Sequence, residues 1–230
     1  MVARTPHPRA TRRRPQEAAI STPLTPASQA FADGLVAEDD ALAAARVRAE
    51  EVGVSAITPG AGATLCFLAS ALGARSVVEI GTGTGVSALW LLRGMRPDGV
   101  LTTVDVEAEH QRLARTGFAQ AGIPASRVRT IAGAALDVLP RLTDGHYDLV
   151  VVDGDRREYA AYLDEALRLL RPGGVVVLDH ALGGGRVADP AQRDEQTVAV
   201  RDLVHGVAER EDLVPVLLPV GDGLLAATKR

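Results

Sequence analysis

Short, largely apolar runs alternate with helical patterns along most of this chain, and that rhythm constrains its fold more than any other feature. Val77-Val78-Glu79-Ile80, Val100–Val104, Arg127–Ala132, Tyr147–Val152 and Val175–Leu178 read as five strands. Helical patterns lie between them at Val86–Gly94, about Glu107–Ala121 and about Tyr159–Leu170, the last stopped by Arg171-Pro172-Gly173-Gly174. A strand that is apolar on both sides must be covered on both sides, and helical crossovers do this for parallel strands. The expectation is an α/β fold built on a doubly wound, mostly parallel sheet. A further helix at about Asp194–Glu209 leads to two apolar runs, Leu213–Val220 and Leu224–Thr228. Gly221-Asp222-Gly223 between them is a hairpin signal, so the sheet should end in an antiparallel pair.

The 230 residues suffice for one substantial domain. Residues 1–30, rich in Pro, Arg, Ser and Thr, read as a disordered leader. A transit peptide or electrostatic arm is the competing reading, and the prolines argue against the amphipathic helix a transit peptide needs. Residues 31–230 form the single domain, opening with N-terminal helices over 31–72. The first runs from Phe31 to Val52, with Leu35, Leu42 and Val47 spaced for one face. Thr58-Pro59 starts the second, which ends near Leu72 at Gly73. The net charge of -4 gives no pull towards nucleic acid or anionic lipid, and aromatics, at 3%, are too few for a base-stacking platform. One cysteine, Cys66, excludes an internal disulfide and a Cys-rich zinc site. No apolar run approaches the ~20 residues of a membrane helix. The N-terminus has no apolar signal core, which makes the cytoplasm the expected location.

In a doubly wound sheet the ligand lies beyond the carboxyl ends of the strands, at the topological switch point. Four places here follow a strand directly: residues 81–87, Asp105, Asp153 and Asp179. In Glu79-Ile80-Gly81-Thr82-Gly83-Thr84-Gly85 the glycines permit a tight turn and close ligand approach. Val86 stands where the dinucleotide fingerprint has its third glycine, which weighs against an NAD-dependent oxidoreductase. An acidic residue in the strand and three closely spaced glycines resemble the first motif of class I methyltransferases dependent on S-adenosyl-L-methionine (AdoMet). A purely structural turn is the alternative. Asp105, 24 residues after Gly81, can accept both hydroxyls of a ribose, of AdoMet or NAD alike, or can merely favour a helix N-terminus. Asp153-Gly154-Asp155-Arg156 and Asp179-His180 end the fourth and fifth strands, neighbours about 4.8 Å apart. Two carboxylates and an imidazole at one place repel or shift pKa unless a cation joins them. Mg²⁺ or Ca²⁺ suits the oxygens, and the nitrogen extends the choice to Mn²⁺ or Zn²⁺. The plainer reading is a loop cap at Asp153 and a satisfied loop histidine at 180.

From about Ile57 onwards the chain resembles the bacterial branch of the catechol and caffeoyl-CoA O-methyltransferases. The matching segments are Ile57-Thr58-Pro59, VVEIGTGTGVSALWL, TTVDVE, GAALDVLPRL, YDLVVVDGDRREY, LLRPGGVVVLDHAL, GGRVADP and LLPVGDGLLAA. The resemblance implies seven strands in the order 3-2-1-4-5-7-6 with strand 7 antiparallel. It implies that Ile57, the Gly81–Thr82 backbone and Ser87 hold the methionine part of AdoMet, within a turn that includes Gly83 and Gly85. Glu79 would bind the amino group or fix the turn, Asp105 and Val106 would hold the ribose, and Ala134 would lie by the adenine. Asp153 and Asp179 would hold a metal, Asp153 also facing the acceptor, with Asp155 on the cofactor side. It further implies N-terminal helices that cover the acceptor pocket or join subunits, the latter in a homodimer.

Two departures stand out. The family usually has Asn after the second metal Asp, where this chain has His180, and Lys three residues after the first, where it has Arg156. Arginine holds its proton too tightly to be a good general base, yet it can stabilise a phenolate. His180 can be metal ligand or base, though hardly both through one nitrogen. The expected activity is methyl transfer from AdoMet to a hydroxyl of a small, catechol-like acceptor, with Asp153, Arg156 and His180 at the reacting centre and Asp153, Asp179 and His180 around a divalent cation. The alternatives are a metal-independent methyltransferase and a non-catalytic AdoMet-binding protein.

Overall fold

In a computed structural model, which describes residues 25–230, alternate residues of each central strand enter two separate cores. The strands are β1 (Ser76–Ile80), β4 (Tyr147–Val152) and β5 (Leu170–Leu178). Val77, Leu149, Val151 and Val177 belong to one core. Val78, Val150, Val152 and Val176 belong to the other. That division is the pleat of a sheet buried on both faces. The first core is closed by α2 (Asp40–Glu51), α3 (Pro59–Ala71), α4 (Val86–Gly94) and α5 (Ala108–Gln120). The second is closed by α6 (Ala135–Val138), α7 (Tyr159–Leu169) and α8 (Glu195–Glu209).

With β2 (Val100–Asp105), β3 (Val128–Ala132), β6 (Leu213–Leu218) and β7 (Leu224–Lys229), the sheet has the order β3-β2-β1-β4-β5-β7-β6. The first five strands pair in parallel, and β7 is antiparallel to both β5 and β6. The expected α/β class and strand order are therefore observed. The order reverses between β1 and β4, and both strands deliver their carboxyl ends to the same edge of the sheet.

The N-terminal part differs from expectation. Residues 31–52 are two helices: α1 (Pro26–Asp33), capped by Thr25, and α2, capped by the Asp39 side chain on the Leu42 amide. Gly34 closes α1 and interrupts the pattern. The last residues of the expected leader, 26–30, are thus helical, and residues 1–24 lie outside the described part. Of the three residues assigned to one apolar face, Leu42 is buried with Ala45 and Ala49, whereas Leu35 and Val47 are exposed. In an Ala-rich helix the small side chains permit close approach, and the alanines take the packing face. β5 also starts five residues before the expected Val175. Among the described residues no helix is long and apolar enough to cross a membrane.

Candidate functional site

The turn after β1 is shaped by what lies beneath it. Gly81, Gly83 and Gly85 all have positive φ, at 95°, 49° and 90°, a region that penalises a side chain. A Cβ on Gly81 would run into the Asp153 main-chain carbonyl, so the two strand ends touch through backbone alone. Gly85 admits the close approach of Phe118 and Ala114 of α5. The Gly83 amide donates to Asp105 Oδ2 at 2.8 Å, and the Glu107 amide donates to Oδ1 at 2.8 Å. Asp105 is thereby fixed at the end of β2 with lone pairs to spare.

Glu79 lies below the turn, fully buried. The Thr103 hydroxyl donates to Glu79 Oε2 at 2.6 Å and meets the Thr82 hydroxyl at 2.7 Å. Burial raises the Glu79 pKa to about 7, against the lowering influence of the Ser87 and Thr103 hydroxyls. Its Oε1 makes no hydrogen bond of ordinary geometry among the described residues. Two clefts adjoin the turn. One, of about 200 Å³, is lined by Ile57, Gly81, Thr82, Gly83, Ser87 and His110, among others. The second, of about 330 Å³, runs past Val106, Ala134, Asp155 and Tyr162. Gly81, Asp105 and Asp153 line both.

The first cleft is roofed by the N-terminal segment. Arg46 donates to the Ile57 carbonyl at 2.9 Å and binds Glu38 through two nitrogens at 2.9 and 2.6 Å. The Thr84 hydroxyl donates to the Ala45 carbonyl at 2.8 Å, tying α2 to the turn.

β4 and β5 end in register, Val152 opposite Leu178. Asp153 and Asp179 follow side by side, and each extends the ladder through its amide, to the Ile80 and Val152 carbonyls at 2.8 and 2.9 Å. With His180 they offer three ligand atoms all within 4.8 Å of one another. Burial and the neighbouring Asp179 charge raise the Asp153 pKa to about 7, opposed by His180 and Arg156. Burial likewise raises Asp179, opposed by His180. Two carboxylates forced together against their charge, with an imidazole nitrogen facing them, are a donor set that fits a divalent cation.

The chain is similar to known proteins along most of its length. The model of a family described as O-methyltransferase matches residues 35–230. A Mycobacterium tuberculosis protein named "Probable O-methyltransferase" is 54% identical over 200 residues, which are 87% of this chain and 89% of that protein. The chain belongs to the O-methyltransferase family. Among solved structures, the O-methyltransferase TomG of Streptomyces achromogenes, involved in tomaymycin synthesis and crystallised in complex with SAM, is 35% identical with a TM-score of 0.79. It is matched over 87% of this chain and 94% of its own. An O-methyltransferase from Bacillus cereus in complex with SAH is 28% identical, with a TM-score of 0.78, over 88% and 96% of the two chains.

Within this O-methyltransferase the expected site residues fall into three groups. Ile57, Gly81, Thr82, Gly83, Ser87, Asp105, Val106, Ala134, Asp153 and Asp155 line the two clefts. The Asp155 carboxylate also accepts the Arg157 guanidinium at 3.0 Å. Glu79 and Gly85 shape the turn from behind without lining either cleft. Arg156 and His180 line a small cavity together with Arg186 and Thr197, and Asp179 joins His180 and Asp153 in the trio of potential cation ligands. Several contributors were not anticipated. Thr103 is an ordinary β2 residue, His110 lies on α5, and Tyr162 lies on α7. Asp222 carried a turn signal alone, yet its Oδ2 is 3.0 Å from His180 Nδ1.

Proposed function

We propose that this O-methyltransferase transfers the methyl group of AdoMet to a hydroxyl of a small, catechol-like aromatic acceptor, with help from a divalent cation at Asp153, Asp179 and His180. The observation that carries the reading is the position of Asp153. It lines both clefts beside the glycine turn and is also a corner of the carboxylate–imidazole trio. One residue therefore joins a nucleoside-sized groove to a cation-suited site.

AdoMet supplies a methyl group already activated on sulfur, so the chain must align a nucleophile with it. The free lone pairs of Asp105 suit the two ribose hydroxyls, because its other contacts hold it rigid. Gly81 and Thr82 offer main-chain groups to the amino-acid end, and the segment at Ile57 keeps water out. Glu79 braces Thr103 and Thr82 from below. Val106, Ala134 and Tyr162 form the wall suited to an adenine. The bound cation would lower the pKa of an acceptor hydroxyl and orient two vicinal oxygens. Arg156 lies close enough to Asp153 and Asp179 to lower both pKa values. From there it can stabilise a phenolate without taking its proton.

The test is incubation with AdoMet and catechol or caffeate, with Mg²⁺ or Mn²⁺, reading S-adenosylhomocysteine and the methyl ether by mass spectrometry. Product that disappears with EDTA and returns with the cation supports the reading. No product from any vicinal diphenol overturns the acceptor class. The contact of His180 with Asp222 favours a second, metal-independent reading in which His180 takes the acceptor proton. Turnover insensitive to EDTA would select it.

A further inference from the structure

We propose that Asp222 is a positioning residue that holds the His180 imidazole with its proton on Nδ1 and its Nε2 lone pair towards Asp153 and Asp179. The inference rests on the cation reading above. His180 Nδ1 lies 3.0 Å from Asp222 Oδ2. An ionised carboxylate can only accept, so the nitrogen must donate. The lone pair of the neutral ring then falls on Nε2, which is 3.6 Å from Asp153 Oδ1 and 3.9 Å from Asp179 Oδ2. Metal-bound histidines are commonly oriented in this way, by a carboxylate on the nitrogen remote from the metal.

The surrounding backbone serves the same arrangement. Asp222 Oδ1 accepts the Gly184 amide at 2.5 Å. The Ala181 amide donates to the Gly223 carbonyl at 2.9 Å, and the Leu182 amide to the Asp222 carbonyl at 2.8 Å. The β6–β7 turn is thus clasped to the loop after β5. His180 itself has φ 55°, the one positive value outside glycine among the described residues. Such a conformation persists only where the surroundings over-determine it. Here the His180 amide donates to Asp179 Oδ1 at 2.7 Å, and the ring is anchored by Asp222. The strained backbone aims the imidazole, and Asp222 selects which nitrogen is free. Asp222 lines neither cleft beside the glycine turn.

Two measurements on the full chain at pH 8 test this. A long-range ¹H–¹⁵N spectrum of the metal-free protein, with His180 assigned through His180→Gln, should show a protonated Nδ1 and a bare Nε2. A proton on Nε2 overturns the proposal without reference to any Asp222 variant. Titration with Mn²⁺, followed by electron paramagnetic resonance, should give about 10- to 100-fold weaker binding for Asp222→Ala. Asp222→Asn, whose amide oxygen can still accept the bond, should keep most of the affinity. Calorimetric AdoMet binding reports whether each variant is folded. Wild-type Mn²⁺ affinity in Asp222→Ala overturns the role of Asp222 and leaves the cation reading standing. A wild-type protein that takes up no Mn²⁺ overturns both.

Discussion

The main-chain carbonyl of Asp153 occupies the space that a side chain on Gly81 would need. β1 and β4 therefore meet at the switch point with no atom to spare, and the turn rises directly beside the carboxylate of residue 153. Gly81→Ala would add both this collision and the cost of a side chain at φ 95°. Strain at one such residue costs about 1–3 kcal/mol. The expected outcome is a melting temperature lower by roughly 4–8 °C, taking about 2 kcal/mol for a domain of this size, together with loss of AdoMet binding. Calorimetry of the variant checks both, and an unchanged melting temperature would refute the close contact.

Asp153→Asn should separate chemistry from cofactor binding. Charge stabilisation by a cation is worth several kcal/mol, and about 3 kcal/mol is roughly a hundredfold in rate. Turnover should fall by about that factor or more, while AdoMet affinity falls far less. Steady-state rates beside calorimetric titration give the two numbers. Full activity in the variant would rule out a catalytic cation at this place.

Glu79 makes stability depend on pH. Its carboxyl would ionise near 4.5 in an unfolded chain, and burial raises it to about 7 in the fold. Between those values the folded state binds more protons than the unfolded one, so stability falls as pH rises and the loss is complete above about 7. The penalty is on the order of 3 kcal/mol. Asp153, raised to about 7, acts in the same direction, so the useful comparison is with Glu79→Gln. Urea unfolding from pH 5 to 8 should show a shallower decline in the variant than in the wild type. Parallel curves would mean that Glu79 does not hold its proton in the fold.

Arg46→Ala should loosen the roof of the cleft proposed for AdoMet. The change removes the bond to the Ile57 carbonyl and the two-nitrogen bridge to Glu38. A charge-assisted bond is worth about 1.5–3 kcal/mol, so AdoMet should bind about tenfold or more weakly. Calorimetry would detect this, and an unaltered dissociation constant would show that the Ile57 segment needs no such support.

That the sheet is mostly parallel and covered on both faces was accessible from the residue pattern because buried strands advertise themselves, whereas the strand order followed from the family resemblance. Val150 and Val151 sit on opposite faces, both buried, and only a doubly covered sheet accepts such a run. Asp105, Asp153 and Asp179 were accessible for a related reason, since polar residues ending apolar strands fall at one edge. The break between α1 and α2 was hidden because Leu35, read as part of one helical face, lies exposed between the two helices, while Leu42 and two alanines pack the inner face of α2. The partnership of Asp222 with His180 was hidden too. It depends on how the β6–β7 hairpin registers against β5, a contact across 42 residues that no local pattern encodes.

The turn at Gly81–Gly85, with Asp105, is proposed to hold AdoMet for methyl transfer. The most direct test is calorimetric titration of AdoMet, and then of NAD, into EDTA-treated protein, repeated with Mg²⁺ and catechol. AdoMet should bind in the micromolar range, NAD should not bind, and catechol should bind only when the cation is present. No AdoMet binding under either condition would contradict that role of the turn.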